Sequence, residues 1–310
     1  MKIYHDISKI KISNPIATVG VFDGVHLGHQ QIFLVQKEMA KANNGETLVI
    51  TFWPHPRMVL QPGANNMLMI NSLDEKVRFI ESMGIDHLLF IEFTKGFSQM
   101  SSLEFINEYL CRILKIKGLI MGFDHKFGKD RLDDFAVLKK IATENGFLVE
   151  KIHPLKAGNH IISSTTIRNA IIHGDIKLAN SCLGRPFSFF GTVVQGEKVG
   201  RQLGFPTANL VSEFVYQLIP GNGVYAVKVF YENFEYLGML NIGNRPTLNL
   251  NEAKRTVEVH LIGFEGDLYG KKLHIHFLEK IRDEKKFQSL SDLKTQLVKD
   301  KSIILSFLEK

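Results

Sequence analysis

His26 and His29 lie three residues apart in GVFDGVHLGHQ, a glycine-punctuated stretch that runs into a helical pattern. Loop amides and a helix N-terminus favour bound phosphate, so Phe22, Asp23 and Gly24 read as a phosphate loop. Both imidazoles could reach one phosphate and stabilise the charge developing on it during nucleotidyl transfer. The plainer alternatives are a zinc pair or two surface histidines at a helix start. Zinc is disfavoured because no third and fourth ligand of matching spacing lies nearby. Nor does a Glu stand between the pair, as it would on a metalloprotease helix.

A second cluster is ISSTTIR, Ile162 to Arg168. Ser164 and Thr165 can start a helix with Arg168 one turn inside it, so that hydroxyls, amides and a guanidinium converge as they would on the β- and γ-phosphates of ATP. A serine cap with a surface arginine is the alternative.

A third is GEKVGRQLGFPTANL, with Gly196, Gly200 and Gly204 punctuating a segment that carries Lys198 and Arg201. It reads as a basic phosphate flap but not as a P-loop, whose GxxxxGK[ST] spacing is absent. Thr207 and Asn209 stand two apart on an extended segment and offer hard oxygens to one side, a ligand pair that suits Mg²⁺ with ATP phosphate and water completing the octahedron. Glu258 in VEVHL is a strand carboxylate. Facing the mouth of a barrel, it could take the proton of a primary hydroxyl attacking a γ-phosphate.

Two kinds of scaffold must hold these groups. Up to about Gly184 the chain alternates apolar strands (Ile16 to Val21, TLVITF, HLLFIEF, GLIM, FLVEKI) with helical stretches, two of them opened by the capping-box pairs Ser72/Glu75 and Ser101/Glu104. The helix after Ser101 is expected to carry Leu103, Ile106, Leu110 and Ile113 on one stripe. Such alternation builds a parallel, Rossmann-like α/β sheet with ligand loops at the strands' carboxyl ends. Beyond Gly184 the period changes to short alternating strands, FSFFGTVVQ through KLHIHFLEKIR, as in a small antiparallel β-barrel closed by a helix near Ser291. The expected domains are residues 1–184 and 185–310.

Composition narrows the class. At 45% hydrophobic and 23% charged residues the chain is an ordinary globular one, and 310 residues suit two cores. No apolar run approaches the ~20 residues that span a bilayer, and MKIYHDISKIKIS lacks a signal-peptide core, so no membrane role and a cytoplasmic location are expected. Cys111 and Cys182 stand far apart and read as reduced, packed thiols. The net charge of +6 would suit a polyanion, yet Lys and Arg are interspersed with acids. Without a basic stripe, no nucleic-acid partner is expected.

In order, GVFDGVHLGHQ, TFWPHP, GFDHKFG, ISSTTIR, LGFPTANL, GVYAV, NIGNRPT, VEVHL, DLYGK and RDEKKF resemble the bacterial bifunctional riboflavin kinase/FAD synthetase family over nearly the whole chain. The resemblance implies ATP, riboflavin and FMN as substrates, FMN and FAD as products and Mg²⁺ as the metal. Residues 1–184 would be the FMN adenylyltransferase and 185–310 the riboflavin kinase. It gives His26 and His29 to adenylyl transfer, and Ser164, Thr165 and Arg168 to the ATP phosphates. Asp124 and Phe127 fall to the nucleotide or flavin, Thr207 and Asn209 to Mg-ATP, Glu258 to the base, and the neighbourhood of Arg282 to the flavin. Weak self-association is a further expectation. One departure stands out: Leu132 and Asp133 follow Arg131 where the family pattern often has glycine, which raises the alternative of a kinase with a degenerate nucleotidyltransferase half.

Overall fold

The computed structural model describes residues 1–61, 67–123, 128–130, 134–196, 199–245 and 254–308. They form two compact units, Met1–Ser163 and Ser164–Lys310.

The first unit is a six-stranded parallel sheet built from β1 (Lys2–Tyr4), β2 (Ile16–Val19), β3 (Thr47–Trp53), β4 (His87–Glu92), β5 (Gly118–Met121) and β6 (Leu148–Lys151), in the order β1-β4-β3-β2-β5-β6. Strands β2 and β5 are wholly buried, which is why they read as unbroken apolar runs. Helices α1 (Leu27–Ala42), α2 (Pro56–Leu60), α3 (Leu73–Ser82), α4 (Ser102–Phe105) and α5 (Phe135–Asn145) make the connections. Ile16, Phe33, Val49, Ile80 and Leu88 anchor one core cluster; Leu48, Ile50, Ile106, Leu110 and Leu119 anchor another. Both capping boxes are present, at Ser72/Glu75 and Ser101/Glu104.

The expected stripe after Ser101 differs. Beyond Phe105 the helix widens to π geometry over Ile106–Ile113, Leu114 bonding back to Tyr109 at 3.0 Å, so Ile106 and Leu110 are buried while Leu103 is exposed. A short ribbon, β7 (Lys156–Ala157) with β8 (His160–Ile161), ends the unit. Strand order reverses between β2 and β5. Ligand crevices of open α/β sheets lie at the carboxyl ends of strands at such a switch point, here the Gly20–His26 loop after β2 and Gly122 after β5.

The second unit opens with α6 (Ser164–His173) and α7 (Ile176–Leu183), followed by β9 (Phe187–Val194), the single turn α8 (Val199–Gln202), β10 (Ala208–Ser212), β11 (Gly223–Tyr231), β12 (Phe234–Arg245), β13 (Lys254–Leu261), β14 (Lys272–Arg282) and α9 (Leu290–Leu305). The six strands close into an antiparallel barrel in the order β10-β13-β12-β11-β14-β9, with β9 returning to β10. One side-chain parity fills the interior with fully buried groups such as Phe189, Tyr225, Val227, Leu240, Val259 and Phe277. The other parity faces outward. Part of it is covered where Ile304 of α9 and Phe205 pack on Val224, Ala226, Leu237 and Met239. The asparagine of α7, Asn180, ties that helix to the barrel by donating to the Phe277 carbonyl at 2.9 Å and accepting from the Phe187 amide at 2.7 Å.

Candidate active site

In the first unit the loop after β2 leaves the sheet through backbone that L-residues rarely adopt: Phe22 at φ 52°, Gly24 at 85° and Val25 at 40°. Three grips hold it there. The Val21 carbonyl accepts from Lys76 Nζ at 2.8 Å, Asp23 Oδ1 accepts from the Ile70 amide at 3.0 Å, and the Gly24 amide donates to Asn71 Oδ1 at 2.5 Å. Asp23 is buried at 2% exposure, so its carboxylate organises the loop from within.

His26 caps α1, its Nδ1 accepting from the His29 amide at 3.3 Å. In the neutral ring that assigns the proton to Nε2. The two imidazoles stack at 3.6 Å between centroids and 19° between planes, and the Phe22 ring meets His29 edge-on at 5.1 Å. Gly28 explains the spacing. A Cβ there would meet His26 Nδ1 at 3.1 Å and Cε1 at 3.2 Å, so a bare α-carbon lets the His26 ring fold back over the helix mouth. A buried histidine, a half-buried one and the first amides of a helix thus share one end of the sheet, an arrangement suited to an anion. TFWPHP ends β3 in the same unit and passes a cis Trp53–Pro54 bond to His55, whose Nδ1 caps α2 through the Arg57 amide at 3.0 Å.

ISSTTIR straddles the two units. Ile162 is buried in the first, its carbonyl 3.8 Å from where a Gly28 Cβ would stand. Ser164 opens α6, with Thr165 exposed and Arg168 half-buried one turn on, while Ile167, Ala170 and Ile171 turn inward. Asp124, Phe127 and Lys198, together with the Arg131–Leu132–Asp133 departure, lie outside the described residues.

In the barrel, Glu258 alternates with Val257 and Val259, which are 4% and 0% exposed. Its side chain therefore projects to the outer side of the barrel wall, opposite to those two valines. Its cross-strand partners are Asn209 on β10 and Asn241 on β12. Directly opposed residues share a face with Cβ atoms about 5 Å apart, so carboxylate and two amides form one row. Thr207 joins it, its Oγ1 donating to Glu258 Oε2 at 3.4 Å. Hydroxyl, amide and carboxylate oxygens make a hard donor set that fits a small divalent cation. Among the described residues no trio of His, Cys, Asp or Glu is grouped to hold a metal, so a cation here would rely on such sparse oxygens.

Gly196 lies against Asn209, and any Cβ on it would overlap that amide. Arg201 is exposed on α8, and the segment is anchored by buried Phe205 and by His260, whose Nδ1 bonds the Pro206 carbonyl at 2.8 Å. Burial pushes the His260 imidazole down, keeping it neutral with Nδ1 as donor. Arg282, across β11 from this row, forks onto fully buried Asp300 with contacts of 2.8 to 3.1 Å, and its guanidinium lies 5.8 Å from the Phe287 ring centroid. That ion pair fixes the end of β14 beside Phe287.

Asn241, His260 and Lys76 escape the sequence reading. A signal for Asn241 is its period-2 position between Leu240 and Ile242; for Lys76, its place on the apolar stripe of α3 between Leu73 and Ile80.

A parallel sheet with a histidine-bearing anion loop at its switch point, joined to a barrel with a carboxylate–amide row, defines a two-part phosphate-transfer enzyme. Residues 9–166 match the family described as FAD synthetase and 183–308 the one described as riboflavin kinase. Curated bifunctional riboflavin kinases/FMN adenylyltransferases are similar over almost the whole chain. The protein of Buchnera aphidicola subsp. Schizaphis graminum is 39% identical, covering 98% of this chain and 96% of its own, and that of Escherichia coli K12 is 36% identical, covering 96% and 93%. A solved structure described as a macrolide-efflux protein from Streptococcus pneumoniae has a TM-score of 0.88 at 30% identity, covering 98% of each chain. The chain belongs to the bifunctional riboflavin kinase/FMN adenylyltransferase family, and it is an enzyme with both a kinase and an adenylyltransferase part. The match of the first half to FAD synthetase removes the support for a monofunctional kinase. No helix among the described residues is long and apolar enough to cross a membrane.

Proposed function

We propose that this chain converts riboflavin to FMN in the barrel and FMN to FAD in the α/β unit, using Mg-ATP at both, with residues 1–184 serving adenylylation and 185–310 phosphorylation. The observation that carries the kinase part is the row Asn209–Glu258–Asn241 with Thr207 at its edge. Glu258 takes the proton of the riboflavin 5′-hydroxyl as that oxygen bonds to the γ-phosphorus and ADP leaves. Thr207 and Asn209 hold the cation, which when bound neutralises phosphate charge. Gly196, Lys198 and Arg201 cover the phosphates, and Arg282 with Phe287 borders the flavin.

In the other unit, Phe22, Asp23 and Gly24 shape the loop in which His26 and His29 meet the α-phosphate. An FMN phosphate oxygen attacks there and pyrophosphate departs, drawn by Ser164, Thr165 and Arg168. Asp124 and Phe127 serve the nucleotide and flavin. Supporting this are the stacked imidazoles at the α1 mouth and the family match of each half. Cytoplasmic residence and weak self-association complete the proposal.

Chromatography of products from riboflavin, ATP and Mg²⁺ tests it, FMN being expected first and FAD second. Failure to form either flavin nucleotide would refute it, and sedimentation checks the association.

A further inference from the structure

Lys76 sits on the face of α3 that packs into the core and is 1% exposed. An ammonium there is costly to bury unless its charge is used. It donates to the Val21 carbonyl at 2.8 Å, immediately before the left-handed Phe22, and faces the charge of Asp23 two residues further on. Val21 is also held by Thr51 Oγ1 at 3.2 Å, so the lysine is not needed merely to satisfy that carbonyl. Ile70 and Asn71, just upstream of α3, grip Asp23 and Gly24. Between these grips lies Phe22, whose ring meets His29, which in turn stacks on His26.

We propose that Lys76 is a positioning residue for adenylyl transfer: its ammonium holds the Val21 carbonyl and balances Asp23, so that the Phe22 ring sets His29 against the reacting phosphate. This rests on the adenylyltransferase reading of the first unit. The charged group acting on Lys76 is Asp23 of the loop. Its neighbour on α3, Glu75, is engaged in the Ser72 capping box, and α1 contributes the imidazoles of His26 and His29. Burial pushes the Lys76 ammonium down to about 8 against the opposing pull of Asp23. Above that pH Asp23 loses its counter-charge, and the neutral amine keeps only a weaker bond to the Val21 carbonyl, which loosens the setting of Phe22.

The test uses the full chain and its Lys76→Met variant, with pyrophosphate release from FMN and ATP followed from about pH 6.5 to 9.5 and riboflavin phosphorylation measured in parallel. In the variant, kcat for adenylyl transfer is expected to fall about tenfold or more with KM within about twofold, because a reacting group has moved while the binding contacts remain. The wild-type kcat should decline as pH rises past about 8. That limb should be missing from the variant and from the kinase profile. Native emission from Trp53, the single tryptophan, reports that the first unit is folded.

An unchanged kcat with the high-pH limb retained in Lys76→Met overturns the proposal. Should the Lys76→Met substitution unfold the first unit, the wild-type profile decides: a limb confined to adenylyl transfer supports the role, and a profile flat beyond pH 8 overturns it. Wild-type protein that makes FMN but no FAD would instead sink the adenylyltransferase reading itself.

Discussion

Replacing Gly28 with alanine should separate stability from adenylyl transfer. The added Cβ would lie 3.1 Å from His26 Nδ1 and 3.2 Å from Cε1, closer than carbon normally approaches a ring, so the imidazole must give by a few tenths of an ångström or swing out. Swinging out ends the 3.3 Å cap to the His29 amide, a loss of about 1 kcal/mol. Alanine inside the first turn of α1 returns up to about 1 kcal/mol of helix propensity, so the net stability change is about zero. Catalysis has no such compensation. The His26 ring is half of a stack with 3.6 Å between centroids, and displacement of a catalytic group by about 1 Å costs up to ~10²-fold. FAD formation from supplied FMN should therefore fall about 10- to 100-fold, or about 1.4 to 2.7 kcal/mol in barrier. Riboflavin phosphorylation by the same preparation serves as control, and urea melts followed by Trp53 emission give the stability of the first unit. Undiminished adenylyl transfer, or a loss matched by early melting, would refute the reasoning.

Glu258→Gln should lower riboflavin phosphorylation by about 10²- to 10⁴-fold and spare FAD formation from FMN, as separate assays of the two products would show. Gly196→Ala, which drives a methyl into the Asn209 amide, should reduce kinase kcat/KM for ATP about tenfold or more without affecting adenylyl transfer. Asp300→Asn leaves the Arg282 guanidinium short of its buried partner and should destabilise the barrel by about 3 to 5 kcal/mol in chemical denaturation. The Lys76 ammonium, lowered from 10.5 to about 8, binds fewer protons folded than unfolded between those values, so it destabilises the native state at neutral pH. Its contribution should make the first unit more stable by about 3 kcal/mol as pH rises from about 8 to 10.5, read from Trp53 urea melts as the difference between wild type and Lys76→Met. A pH-independent difference would refute the burial argument.

What the sequence disclosed follows from how local each signal was. Buried parallel strands such as Ile16–Val19 and Gly118–Met121 are unbroken apolar runs, and capping boxes are four-residue patterns. Edge strand Lys2–Tyr4 has two exposed residues of three, and Ala208–Ser212 follows a glycine-rich turn, so neither has a hydrophobic signature. The histidine spacing and Thr207–Asn209 were readable because each set lies on one short segment. The Asn209–Glu258–Asn241 row was not, because it depends on the register of three strands. Lys76 was likewise hidden. A lysine on an apolar stripe signals that something charged must meet it, but only tertiary structure reveals that its partners are Val21 and Asp23.

The segment between the two activities illustrates the same difference between motif and packing. The family matches stop at residue 166 and resume at 183, leaving most of α6 and α7 to neither. By compactness these helices go with the barrel: Asn180 bonds to Phe277 and Phe187, and the Gly221 amide bonds to the Ile171 carbonyl at 3.0 Å. Yet the phosphate-binding role proposed for Ser164, Thr165 and Arg168 belongs to adenylyl transfer. The chemical boundary and the packing boundary need not coincide, because the first is set by where a hydroxyl and a guanidinium are required and the second by where apolar area is buried.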